Sequence, residues 1–229
     1  MANYSEEQVR HLDGLGIHSE EVPENVLDYY KNEINNVKEP SNTELAGHIK
    51  KELKFTNVPL EVEQYLTTIP YKKLYFNRQL QNVQVNSGVN STDTKLTLSS
   101  NWVNFQKKHE FNPVHNHGGL FSFIIFLKIP YDYEEEAKAW NKHTSIGNVA
   151  SCLQFLYIDS LGQIQVHTLP VDKSFEGKIV YFSSKQNHCV YPFYTSDDER
   201  ITVSGNIKFH TGIKEFAESN TNKPKDYIL

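Results

Sequence analysis

The stretch Asn112-Pro113-Val114-His115-Asn116-His117-Gly118-Gly119-Leu120-Phe121-Ser122-Phe123-Ile124-Ile125-Phe126-Leu127 carries two signals in sixteen residues. From Phe121 to Ile129 it is a short apolar run behind a Gly-rich turn, the mark of a strand. Ahead of that run, two histidines stand at i and i+2. On a strand, His109, Phe111, Pro113, His115 and His117 share parity and therefore one face. At a rise of about 3.3 Å per residue, His115 and His117 lie about 6.5–7 Å apart at Cβ. Both imidazoles can then reach one metal ion at about 2.0–2.2 Å. Gly118-Gly119 lets the chain turn tightly beside such a centre. A lone His-x-His also fits two half-exposed histidines at a strand end, so the pair needs further partners.

Working outward, strand patterns flank this segment on both sides. Val83–Asn86, Lys95–Leu98, Trp102–Lys107, Val114–His117, Cys152–Ile158, Ile164–Leu169, Lys178–Phe182, Cys189–Tyr194 and Ile201–Phe209 all read as strands separated by Pro, Gly, Asn or Asp. Many short strands in sequence predict a sandwich or a barrel. The preceding residues look different. Ser5-Glu6-Glu7 can start a helix, Pro23–Asn35 and Pro59–Thr67 read as two more, and Leu45, Ile49 and Leu53 recur at four-residue spacing behind an N-cap candidate at Asn42 or Thr43. The expected class is mainly β, α+β, with helices buttressing one face. A single domain over 1–229 divides into a helical support at 1–80, a jelly-roll core at 81–210 and a tail at 211–229. The acidic stretch Tyr131 to Asn148 reads as a surface insertion, and a long loop on a rigid scaffold is the expected substrate-side lid.

Composition narrows the function classes. The chain has 229 residues, 38% hydrophobic and 12% aromatic, enough for a real core. A net charge of −5 leaves no basic footprint for nucleic acid. Two cysteines, Cys152 and Cys189, make neither a disulfide scaffold nor a Cys-rich zinc site. No signal peptide and no membrane-length apolar run is visible, so a cytoplasmic protein with reduced thiols is expected. Ten histidines remain the feature to explain.

The best candidate for a third partner of His115 and His117 is His188, which opens a strand after a short turn, although by itself it reads equally as a turn histidine. A barrel brings such distant strands side by side. Beyond it, Arg200-Ile201-Thr202-Val203-Ser204-Gly205-Asn206-Ile207-Lys208 alternates cleanly. Its even positions carry a guanidinium, two hydroxyls and an amide. An edge strand with its polar face in water would look the same. If the apolar face instead packs on the helices, the polar face looks into the barrel, where Arg200 can pair bidentately with a carboxylate.

These segments, with Gly177-Lys-Ile-Val-Tyr-Phe and His188-Cys-Val-Tyr-Pro, resemble the iron(II)- and 2-oxoglutarate-dependent oxygenase superfamily over about residues 98 to 210. The resemblance is closest to a prolyl-4-hydroxylase-like branch found in phages and marine bacteria. It implies a double-stranded β-helix, or jelly roll. It also implies a hydroxylase that uses Fe(II), dioxygen and 2-oxoglutarate and releases succinate and CO2, in the cytoplasm of a bacterium or of a phage's host. The implied iron ligands are His115 and His188, and Arg200 is the implied partner of the 2-oxoglutarate C5 carboxylate, with Thr202 beside it. Ser204 and Asn206 lie further along the same face. The family pattern is His-x-Asp or His-x-Glu, so His117 stands where a carboxylate is expected. His117 is the expected third ligand, and Asp159 is the substitute if a carboxylate completes the set. A peptidyl, prolyl-type substrate and a small molecule are both open.

A cupin shares the jelly roll and the His-x-His pattern, and a three-histidine cupin metalloenzyme fits the ligands. It has no need of Arg200, and the Glu expected after His117 is missing. A non-catalytic jelly-roll binder is the third class. Asp197-Asp198-Glu199 reads as solvated surface. Cys189 reads as a buried strand cysteine rather than a nucleophile, and His109 as a barrel-rim residue. His11, His18, His48, His143, His167 and His210 default to surface. Trp102, Phe121, Tyr157, Tyr181 and Tyr191 are pocket candidates, with core packing the stronger expectation for each.

Overall fold

The computed structural model describes residues 10–12, 15–41, 47–70, 96–140, 147–159 and 161–210. Twelve strands form two antiparallel sheets among them. We label them β1 Arg10–Leu12, β2 Leu15–Glu21, β3 Glu39–Pro40, β4 Glu52–Lys54, β5 Leu96–Gln106, β6 Asn112–His115, β7 Phe121–Lys128, β8 Leu153–Ile158, β9 Ile164–Leu169, β10 Lys178–Ser183, β11 His188–Val190 and β12 Arg200–Phe209. The helices are α1 Glu24–Glu33, α2 Leu60–Ile69 and α3 Tyr133–Trp140. The larger sheet runs β1-β2-β10-β7-β12-β5-β4-β3 and the smaller β6-β11-β8-β9. From β5 to β12 the chain passes between the sheets, so that β5, β7, β10 and β12 sit in one and β6, β8, β9 and β11 in the other. That winding is a double-stranded β-helix. No helix among the described residues is long and apolar enough to cross a membrane.

β7 explains the apolar run in the sequence. It lies between β10 and β12, and seven of its eight residues are buried. Its odd positions, Phe121, Phe123, Ile125 and Leu127, join the helix-side core, whereas Ile124 and Phe126 join the core between the sheets. The helices fill the outer layer as their apolar spacing predicts. Val26 and Tyr30 of α1, with Val62, Leu66 and Ile69 of α2, pack on Val103, Phe105, Phe123, Ile125, Tyr181 and Val203. Each such side chain, fully buried, contributes roughly 1.5–3 kcal/mol. The Tyr30 hydroxyl donates to Asn101 Oδ1 at 3.0 Å and the Tyr181 hydroxyl to Leu66 O at 3.2 Å, which seats both helices on the sheet.

The N-terminal region departs from the expected helical support. It contributes α1 and α2, near the predicted 23–35 and 59–67, but also strands on both edges of the larger sheet. β2 pairs with β10, and β4 pairs with β5. The helix expected through Leu53 is absent from the described part of that span. His48 bridges to Phe111, and Glu52–Lys54 is strand, with Leu53 packed against the helix-side core. Pairing with β5 overrides a four-residue spacing that is only a weak local preference. The patterns at Ser5, Asn42 and Val83–Asn86 and the tail at 211–229 lie outside the described residues.

Elsewhere the differences are of length. The patterns at Lys95–Leu98 and Trp102–Lys107 form one strand, β5. β6 stops at His115, and β11 stops at Val190 rather than Tyr194. Of the two glycines after His117, Gly119 is the constrained one. Its φ is +100°, and a Cβ there would approach Ile207 O to 2.8 Å.

Candidate metal centre and anion pocket

Two strand ends and the turn after β6 bring the imidazoles together. His115 closes β6 and His188 opens β11, directly opposite each other in the antiparallel pair. His117 follows two residues after His115, held by its backbone N–H to Ser184 O at 2.8 Å. The ring centroids lie 4.3 Å apart for His115–His188, 4.8 Å for His115–His117 and 5.1 Å for His117–His188. One ring nitrogen from each falls within 4.8 Å of the others. Among the described residues no carboxylate or thiol joins this group.

Two of the rings are oriented by backbone carbonyls. His115 Nδ1 donates to Pro113 O at 2.7 Å and His188 Nδ1 to Gln186 O at 2.9 Å. A carbonyl only accepts, so each Nδ1 keeps its proton and each Nε2 keeps a free lone pair. Burial lowers all three imidazole pKa values. His117 falls to about 4, from burial and then from His115. His188 falls to about 3, from burial and then from His115. His115 moves in the same direction, chiefly from burial. Neutral, oriented imidazoles fit a divalent transition metal such as Fe, Zn, Cu or Ni.

The same cavity, partly open to solvent, is lined by Arg200, Thr202 and Ser204 of β12. The alternation of β12 places Val203 in the helix-side core and leaves these even positions facing between the sheets. Arg200 is 3% exposed. Its Nη1 donates to the Tyr131 hydroxyl at 3.1 Å, its Nε has no hydrogen-bond partner, and no described carboxylate forms an ion pair with it. A buried guanidinium with an idle N–H costs several kcal/mol unless an anion meets it. The arrangement therefore fits a carboxylate. Asn104 Nδ2 donates to Thr202 Oγ1 at 3.2 Å and to Ser204 Oγ at 3.3 Å. Asn206 does not line the cavity. It accepts from Ser122 Oγ at 2.7 Å and donates to Ser100 Oγ at 2.9 Å, which ties β12 to its neighbours.

Several other expectations change. Asp159 is committed to its own turn, accepting from the Leu161 and Gln163 amides and from Gln165. Its carboxyl stays below the usual range because of those bonds. Cys189 is buried with its thiol pKa raised by burial, which argues against a nucleophile. His18 is buried at 2% exposure and bonded to Glu20 at 2.8 Å, not a surface residue. Of the aromatic candidates, only Trp102 lines the cavity. Asp197 and Asp198 pair with Lys108 and Lys128 on the surface, as expected. Glu52, Asn104, Gln106 and Asn112 also line the cavity and were not singled out from the sequence. Asn104 and Gln106 alternate with Val103 and Phe105, a pattern that could have flagged them.

Residues 100–206 match the model of a family described as "Putative 2OG-Fe(II) oxygenase". Comparison with curated proteins gives no match. Solved structures that the chain is similar to include a Pseudomonas putida prolyl-4-hydroxylase (11% identity, 86% of this chain and 94% of that one, TM-score 0.45). They also include the viral collagen prolyl hydroxylase of Paramecium Bursaria Chlorella virus-1 in its 2-oxoglutarate complex (13%, 83% and 94%, TM-score 0.41). A third is HygX of Streptomyces hygroscopicus with nickel, 2-oxoglutarate and hygromycin B (10%, 86% and 83%, TM-score 0.44). At these levels the structural likenesses carry nothing about what this chain acts on.

Proposed function

We propose, from the premise that the core of this chain belongs to the 2OG-Fe(II) oxygenase superfamily, that it is an Fe(II)- and 2-oxoglutarate-dependent dioxygenase acting as a hydroxylase. His115, His117 and His188 would hold the metal. Arg200 would take the C5 carboxylate of 2-oxoglutarate, with Thr202 beside it. When bound, the metal and co-substrate supply the oxidation of a substrate C–H bond by dioxygen, coupled to conversion of 2-oxoglutarate to succinate and CO2. The chain's own part is binding and orientation. Pro113 O and Gln186 O aim two imidazoles through their Nδ1–H groups. Tyr131 holds one arm of Arg200 and leaves Nε for an anion. Phe155 and Phe182 pack beside the His188 ring, with centroids 6.1 and 4.7 Å away, and so help fix its position.

One observation carries this reading: three imidazoles and one buried arginine, which pairs with no carboxylate among the described residues, face the same cavity. A cupin-type metalloenzyme accounts for the imidazoles and leaves the arginine without a purpose. The superfamily's usual carboxylate is absent from the trio, so the protein set is one negative charge poorer. The substrate is a peptidyl group or a small molecule. Calorimetric titration of 2-oxoglutarate into Fe(II)-loaded protein under argon tests the reading. Binding is expected to need both the metal and Arg200. A 2-oxoglutarate affinity unchanged by Arg200→Met would favour the cupin-type site.

A further inference from the structure

The three imidazoles are not held alike. His115 and His188 each give their Nδ1–H to a backbone carbonyl, which sets the ring before any metal arrives. The His117 ring has no hydrogen-bond partner among the described residues. The bonds at this residue are made by its backbone, whose N–H donates to Ser184 O at 2.8 Å and whose carbonyl accepts from Lys185 Nζ at 3.2 Å. A metal-ligating imidazole is normally aimed by a hydrogen bond at its other nitrogen, and loss of such a partner costs about 10–100-fold in metal affinity. A carboxylate presents two oxygens, whereas an imidazole presents one nitrogen in the ring plane. Histidine at this position therefore needs its ring aimed, and no hydrogen bond does it.

Trp102 meets that need. Its ring centroid lies 5.7 Å from that of His117, with the planes tilted by 57°. That separation and tilt fall in the range where aromatic pairs attract. Besides the other two histidines, it is the only ring that His117 meets among the described residues. Trp102 is 5% exposed and lines the cavity. It stands in β5 opposite Ser204 of β12 and Lys54 of β4, so strands on both sides fix its backbone. His115 and His188 are set by the smaller sheet, and Trp102 reaches His117 from the larger one. A broad indole in a packed strand leaves the facing imidazole little room to turn.

We propose that Trp102 is the positioning residue for His117, holding by packing the one imidazole that no hydrogen bond aims. The proposal rests on the reading that the three histidines hold the metal. Its test is Co(II) affinity of the full chain, measured by competition with a chelator, beside the Co(II) absorption spectrum. Trp102→Leu should weaken binding by about 10–100-fold and give the spectrum of His117→Ala. In the His117→Ala background, Trp102→Leu should make no further difference. Trp102→Phe keeps an aromatic face and should restore the spectrum of the unaltered chain. Undiminished affinity in Trp102→Leu, or an equal loss in the His117→Ala background, overturns the proposal and leaves the metal site standing. Absence of Co(II) binding in the unaltered chain overturns both. Should Trp102→Leu not fold, the His117 ring protons of the metal-free, unaltered chain decide by NMR. Resonances of a single orientation, shifted by the indole ring current, support the contact; averaged, unshifted ones overturn it.

Discussion

The two faces of the larger sheet are built from the same strands and do opposite work. On the outer face, Val103, Phe105, Phe123, Ile125 and Val203 lie against α1 and α2 with no polar atom to satisfy. On the inner face, one residue away along each strand, Asn104, Gln106, Arg200, Thr202 and Ser204 line a cavity. The outer face gains stability by removing apolar area from water. The inner face gives some of it up, since Arg200 Nε and Asn104 Oδ1 are buried without partners. Period two lets one strand serve both ends. Substitutions on the outer face should therefore change stability and leave the affinity of folded protein intact. Substitutions on the inner face should do the reverse.

The largest expected effect is on the outer side. Phe123→Ala empties a fully buried site between sheet and helices and should cost about 3–5 kcal/mol, read by denaturant unfolding. The folded fraction should still bind 2-oxoglutarate normally; weakened binding would mean that the two faces are coupled. Next comes Arg200→Met on the inner side. It should weaken 2-oxoglutarate binding by about 2–5 kcal/mol, while the unfolding midpoint holds or rises because an unpaired buried charge has gone. A marked fall in stability would show that Arg200 is a structural residue instead.

Gly119→Ala probes the seam where the faces meet. It sits between His117 and β7 in a conformation that side chains rarely adopt, and should cost about 1–3 kcal/mol. Metal affinity should drop with it, checked by competition with a chelator. The smallest effect concerns pH. Burial, and then Glu110, raise the Glu52 carboxyl to about 7 from 4.5. The folded state then holds a proton that the unfolded chain has lost between those values. Stability should decline as pH rises from about 4.5 to 7, by on the order of 1–2 kcal/mol. Glu52→Gln should flatten that slope; an unchanged slope would assign it to another group.

The same contrast explains how much could be read in advance. The strands of the core, the His115–His117 pair and the shared face of Arg200, Thr202 and Ser204 follow from local spacing, because alternation alone fixes which side chains share a face; that His188 meets the pair, and that the β12 face looks inward, depend on how distant strands pair. Glu52 does not follow from spacing either. Its segment carries a helical spacing, and only pairing with β5, far along the chain, makes it strand and turns its carboxylate inward. The insertion was legible as acidic but not in its role. Glu134 and Glu135 are exposed, yet Glu136 is fully buried and accepts from the Tyr194 and Thr195 amides at 2.7 and 2.8 Å. That bond ties α3 to the loop before β12. Tyr131, just ahead of the helix, reaches Arg200. A run of three glutamates does not say which one turns in; tertiary packing decides it.

The central claim is that the histidine trio and Arg200 form one co-substrate site. Succinate formation tests it most directly, in purified protein supplied with Fe(II), 2-oxoglutarate and air. The account predicts slow succinate release from the unaltered chain even without a substrate. It predicts loss of that release in His188→Ala and in Arg200→Met, with both variants still folded. No succinate from the unaltered protein, or undiminished release from Arg200→Met, would contradict it.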